Sequence, residues 1–317
     1  MRLPKPRGDM SEWVVARLAG AGTATAPGAA ESDADEALAL WTLHELSYGG
    51  FEDADDAAEW DPSLLVVRHG LELALEQRLR ARWLAAPSHA AHPVPDVPGA
   101  LERIVDADDG PSLADRVRRD ATREQVLELL RQRSVYHLKE SDPSAWVVPR
   151  LPVRAKAALV ELLFDEYGDG DPDRLHAHLF ARGLQAVGLR PERGAYVDDA
   201  LAETLEMNNA ASLLGLHRRL RGAAMGHLAA FEMTSSLPSR KLVQGLERLG
   251  LDGPMSAYYD EHVEADAIHE QLAARRICAT LAEDEPDQAA DILFGAFTCL
   301  DTEARFAAAL LREWGER

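Results

Sequence analysis

The chain has 317 residues, a formal net charge of −20 and an apolar fraction of 46%. That is length and apolar content enough for one large or two modest domains with a real core, which argues against general disorder. So acidic a surface repels nucleic acid and anionic membrane, and no window nears the ~18 apolar residues of a membrane span, so neither partner is expected.

The opening Met1-Arg-Leu-Pro-Lys-Pro-Arg is basic but has no apolar run after it, and so does not read as a signal peptide. A cytoplasmic location is expected. Residues 18–35 are small and polar and read as a loop. The pattern is helical nearly throughout, rich in Ala, Leu, Glu and Arg. Val66-Val67 and Val147-Val148 are too short to anchor a sheet. Helices are predicted over 33–48 and 63–85, with the acidic run Glu52 to Glu59 between them as a solvated turn. Ala86 to Gly99 holds four prolines and reads as an extended connection and a candidate domain boundary.

Further helices are predicted at 111–119, 122–132, 152–167, 173–187, 195–223, 224–235, 238–249, 254–283, 286–298 and 301–315. Breaks are expected at Gly168-Asp-Gly-Asp-Pro172, Ser235-Ser-Leu-Pro238 and Asp252-Gly-Pro254, each a cluster of turn residues. Pro254 suits the first turn of the helix after it. This is the pattern of an all-α bundle. Cys278 and Cys299 form no paired motif and read as buried small hydrophobes.

Chemistry concentrates at His262, Asp266 and His269. On a helix of ~3.6 residues per turn, offsets of four and seven bring the three within roughly 60° of one another. Two imidazoles and a carboxylate suit Fe(II) and leave positions open for other ligands. A polar helix face carrying a salt bridge has the same spacing. Glu232 stands in an apolar stretch, where a carboxylate is costly to bury unless it is paired or ligating. A helix-end charge facing water competes with that reading. His227, about 140° round the same helix, should face elsewhere. Glu166 closes one helix and His176 opens the next. The ten-residue gap lets them converge only if the glycine-rich segment between them bends. Glu140 lies in a turn-like stretch before Pro143 and by itself is unremarkable.

Glu166, His176, Glu232 and His262-x3-Asp266-x2-His269, in this order and with these gaps, resemble the ligand set of the haem-oxygenase-like diiron oxidases and oxygenases, also described as iron-containing redox enzymes. The resemblance covers at least residues 134–315, including His-Leu-Lys-Glu140, Gly226-His-Leu-Ala-Ala-Phe-Glu232 and Tyr259-Asp-Glu-His262. It implies an up-and-down helical bundle without haem over 111–317. An N-terminal helical extension, a place for homodimer formation, would occupy 1–110.

Carried over by residue, one iron would take Glu166, His176 and Glu232. The other would take His262, Asp266 and His269, with one glutamate bridging. Glu140 matches an extra glutamate ligand of the N-oxygenating branch and tilts the substrate toward an amine, guanidine or amino-acid nitrogen. Two Fe(2+) per chain, dioxygen, a small-molecule substrate and an external electron donor are implied, with no catalytic residue beyond the metal ligands. Tyr167, next to Glu166, is read as a core aromatic in preference to a support for that ligand. Two alternatives stay open: a diiron oxidase that cleaves, desaturates or decarboxylates an amino or fatty acid, and a non-catalytic helical iron- or metabolite-binding protein. No Glu-x-x-His pair of the ferritin type and no His-Asp dipeptide of phosphohydrolases occurs in the chain.

Overall fold

Side-chain caps set where many of these helices begin. In the computed structural model, which describes residues 1–21, 25–87 and 96–315 except for the side chains of 264–268, Ser32 accepts from the amide of Asp35. Asp61 accepts from Ser63 and Leu64 ahead of Pro62, and Thr122 forms a reciprocal box with Gln125. Each such cap is worth about 1 kcal/mol.

The helices run α1 (Asp9–Leu18), α2 (Asp33–Glu45), α3 (Pro62–Ala85), α4 (Val97–Asp106), α5 (Leu113–Arg119), α6 (Arg123–His137) and α7 (Asp142–Ala145). They continue with α8 (Val153–Glu166), α9 (His176–Ala186), α10 (Ala202–Leu216), α11 (Arg221–Arg248), α12 (Pro254–Gln271), α13 (Ala279–Asp284) and α14 (Ala289–Glu313). A π-helical stretch, Leu272–Cys278, joins α12 to α13. Among the described residues there is no strand, and no helix is long and apolar enough to cross a membrane.

Several predicted boundaries move. α1 and α4 add to the expected helices. The expected break at Ser235–Pro238 does not occur, and α11 runs through Pro238. Proline there removes the amide that would bond to the Thr234 carbonyl, but α11 is packed by α14, α12 and α5, and that packing holds the helix together. The expected gap near Leu300 is absent because nothing in Thr298–Thr302 breaks a helix. Both hydroxyls bond back to the carbonyl four residues earlier. The helix predicted over 195–223 shortens to α10, with single 3-10 turns at Val197–Asp199 and Arg218–Leu220.

The proline-rich segment does not separate two cores. Of it, residues 88–95 lie outside the described residues. Leu38 and Trp41 of α2, Leu79 of α3, Leu159 of α8, Ile277 of the π-helical stretch and Phe294 of α14 belong to one buried apolar cluster. Polar links also cross between the two parts of the chain. Glu45 of α2 is fully buried against Lys139, and its other oxygen accepts from Arg193 at 2.7 Å. Lys139 Nζ lies 4.3 Å from the Tyr48 ring centre. Glu72 of α3 meets His44 at 3.1 Å and His217 at 2.8 Å.

α11 and α14 touch through their backbones. A β-carbon at Gly226 would stand 1.8 Å from the Ile292 carbonyl oxygen, and one at Gly295 would stand 1.8 Å from that of Ala223. Only glycine permits that approach. It fixes the height of α11, and with it the position of Glu232, against the rest of the bundle.

Candidate metal centre

Four helices and one turn bring the candidate residues together. Glu140 lies just past the end of α6 and Glu166 ends α8. His176 starts α9, Glu232 lies mid-way along α11, and His262 and His269 are on α12. The segment between Glu166 and His176 does bend. Gly168, Asp169 and Gly170 all take positive φ in a single 3-10 turn. A β-carbon at Gly168 would meet the backbone of Arg174 and Leu175 at 2.6 Å, so the chain doubles back on itself there.

Two groups of three result, all six residues buried. Glu140, His176 and His262 each offer one ligand atom, and these atoms lie within 4.8 Å of one another; the same holds for Glu166, Glu232 and His269. This differs from the expected grouping, which put Glu166, His176 and Glu232 on one iron and His262 with His269 on the other. The reason is helical rise: seven residues at ~1.5 Å each separate His262 from His269 by ~10 Å along α12, so each reaches a different neighbour. The side chain of Asp266, the third member of that expected set, lies outside the described residues. The two groups adjoin, since His176 Nδ1 is 3.7 Å from Glu140 and 3.2 Å from Glu166.

The donor atoms are aimed inward by partners behind them. His262 Nδ1 lies 2.8 Å from the Tyr258 carbonyl, leaving Nε2 to face Glu140 at 3.4 Å. His269 Nε2 contacts Asp165 at 2.6 Å, leaving Nδ1 at 3.5 Å from both Glu166 and Glu232. Glu140 Oε2 accepts from the Tyr258 hydroxyl at 2.7 Å and sits 2.6 Å from His137, and Ser141 donates to Glu166 at 2.9 Å. Such outer partners fix the orientation of metal-ligating side chains. Three inward-facing buried atoms, Glu140 Oε1, His176 Nδ1 and His269 Nδ1, have no hydrogen-bond partner among the described residues. A buried unpaired polar atom costs about 1–3 kcal/mol, and a cation between the carboxylates and imidazoles would relieve it. Mixed His and carboxylate donors suit iron.

Sequence reasoning missed Tyr258, His137 and Asp165 as supports. The Tyr258 hydroxyl meets Glu140 and Asp165 meets His269 across helix crossings, and His137 meets Glu140 over the turn that ends α6, so spacing along the chain carries no signal for these contacts. The Tyr167 hydroxyl donates to Asp142 at 3.2 Å.

Without metal the site holds protons. His262 is pushed up to about 9, and His269 likewise: burial disfavours the charged ring, but Glu140 in the first case and Glu232 in the second outweigh it. His176 rises to about 11, burial being overcome by Glu140 and Glu166. Burial pushes Glu140 up, but His137, His176 and His262 together hold its carboxyl well below the usual range. Raised imidazole values stabilise the fold fully below ~6.5, the unfolded value, and that stability is lost as pH climbs through about 9 and above. The metal-free protein should therefore lose several degrees of Tm between pH 7 and 10. With Fe(II) bound the rings are already neutral ligands, so the loaded protein should show no such fall, and loading at pH 7 should release protons. Calorimetry in buffers of different ionisation enthalpy measures that release.

An all-helical bundle with a buried His and carboxylate centre has relatives. A solved CADD-like protein of unknown function from Nostoc punctiforme PCC 73102 shares the fold, with a TM-score of 0.54 at 16% identity over 68% of this chain and 96% of that one. The curated nitrosourea synthase of Streptomyces achromogenes subsp. streptozoticus is 29% identical over 133 residues, which is 42% of this chain but only 28% of that protein's length. The family model for iron-containing redox enzymes matches residues 127–304, and the chain belongs to that family.

Proposed function

We propose that the chain is a non-haem diiron oxygenase that uses dioxygen to oxidise a small amine or amino acid, at nitrogen in preference to carbon. The observation that carries this reading is the pair of adjoining buried triads, each mixing carboxylate and imidazole, with inward atoms that make no hydrogen bond. Glu140, His176 and His262 would hold one Fe(2+). Glu166, Glu232 and His269 would hold the other, and Glu166 lies 3.2 Å from His176 of the first set. When bound, such a pair of ions supplies the electrons and open coordination positions for reducing dioxygen, and an external donor must restore them.

The protein's own contribution is positional. Tyr258 and His137 clamp one oxygen of Glu140 so that the other faces inward. Asp165 and the Tyr258 carbonyl hold the α12 imidazoles in a single orientation each. All six candidate ligands are buried, which keeps bulk water from the centre. The preference for nitrogen is supported by the position of Glu140 within a triad and by the partial match to nitrosourea synthase.

Anaerobic titration should show two Fe(II) per chain. Admitting oxygen should then give a transient visible absorbance, and oxygen uptake that rises with a turned-over amine. A loaded protein that ignores oxygen with every amine and amino acid offered would move the reading to a protein that only sequesters iron or a metabolite.

A further inference from the structure

A second compartment lies beside the metal centre. A cavity of about 230 Å³ opens between the start of α5, α6, α11 and α14. Its lining grades from the exposed Asp108, Pro111 and Ser112 to the buried His137, His227 and Tyr259. His137 is the residue that sits 2.6 Å from Glu140. A smaller hollow reaches Glu140 itself, and it shares Tyr136, Ala211 and His227 with the larger cavity. Those three side chains are therefore the partition between the cavity and the candidate metal centre.

His227 takes no part in either triad, yet it is only 9% exposed. Its Nε2 has no hydrogen-bond partner among the described residues, and neither does the hydroxyl of Tyr259, which also lines the cavity. Two orphaned polar atoms on the wall of one cavity call for a ligand that supplies what the protein does not. The wall also says of which charge. Arg133, the cation there, is committed to Glu303, with one of its two contacts at 2.7 Å, and Asp108 adds a second carboxylate. The balance of formal charge on the wall is negative. Tyr136, Phe231 and Tyr259 add ring faces, which attract cations. Burial holds His227 down to about 4, so near neutral pH its ring is uncharged and free to accept from a cation.

We propose that this cavity is the substrate compartment and that His227 is a positioning residue in it, its imidazole accepting a hydrogen bond from a protonated amine or guanidinium borne on a short apolar chain. The donor nitrogen is thereby held at the partition, next to the Glu140 hollow. The inference deepens the diiron reading and rests on it for the oxidation of the bound amine, whereas binding itself is independent of iron.

The test uses the metal-free 317-residue chain, with hexylamine, hexanoate and cyclohexane as calorimetric probes. Hexylamine should bind, and hexanoate at least tenfold more weakly. His227→Leu should weaken hexylamine by tenfold or more, a charge-assisted hydrogen bond being lost, while leaving cyclohexane binding and Fe(II) stoichiometry as in the parent. His227→Gln should recover most of the hexylamine affinity. Equal hexylamine binding by parent and His227→Leu, tighter binding of hexanoate, or no hexylamine binding by the parent each overturns the proposal. Loss of hexylamine binding in His227→Leu, in a protein that takes up no iron, would sink the diiron reading and leave this one standing.

Discussion

The double variant H262A/H269A is expected to retain no tightly bound Fe(II), whereas H176A/H262A is expected to keep one ion per chain. The two variants remove the same chemistry, two imidazoles, and differ only in how the removed rings are shared between the triads. His176 and His262 serve one triad with Glu140, while His269 serves the other with Glu166 and Glu232. Loss of an outer partner alone typically costs 10- to 100-fold in metal affinity, so loss of a direct donor from a three-residue set should cost more. Colorimetric iron determination after anaerobic loading and desalting reads the result. The reverse outcome, one ion in H262A/H269A and none in H176A/H262A, would restore the grouping that the family resemblance implies.

Gly226→Ala should be, with Gly295→Ala, among the most damaging single methyl additions in the described residues. The added carbon would sit 1.8 Å from the Ile292 carbonyl oxygen, which is backbone and cannot swing aside. α11 and α14 must part to admit it. Overpacking of a core commonly costs about 1–3 kcal/mol, and a helix-to-helix backbone clash belongs at or above the top of that range. Against a typical total of about 5–15 kcal/mol, that loss is large. Because α11 also carries Glu232, stoichiometry at the Glu166, Glu232 and His269 triad should fall with it. Gly70 gives the control. It is also helical, but a β-carbon there meets nothing within 4 Å. Gly70→Ala should stabilise by about 0.5–1 kcal/mol. Thermal melts of both variants decide the matter, and equal Tm values for Gly226→Ala and the parent would contradict the contact.

The helical class was legible because it rests on composition and the near absence of β-branched alternation, both local properties. The stripe on α12 was legible for the same reason, since helix geometry relates His262 to His269 with no knowledge of the rest of the fold. What could not be read was which residues share a triad. That depends on where α6, α8, α9 and α11 cross α12, and crossing is decided by contacts such as Gly226 against Ile292 that leave no periodic trace. The bend at Gly168 to Gly170 was expected as the condition for Glu166 and His176 to approach, and the structure meets that condition. It then delivers the two to adjoining triads, because His176 also reaches Glu140. Pro238 misled for a related reason. A proline stops an isolated helix, but α11 is held from outside by three neighbours.

Lys139 precedes Glu140 in the chain, yet its ammonium is buried among the N-terminal helices against Glu45. The two neighbouring residues thus answer to different parts of the molecule. A relative that lacked the first hundred residues would lose Glu45 together with the helices that cover Lys139, and so would have no further need of that lysine. Among relatives, then, the N-terminal helices and a lysine at this position should be inherited or discarded together.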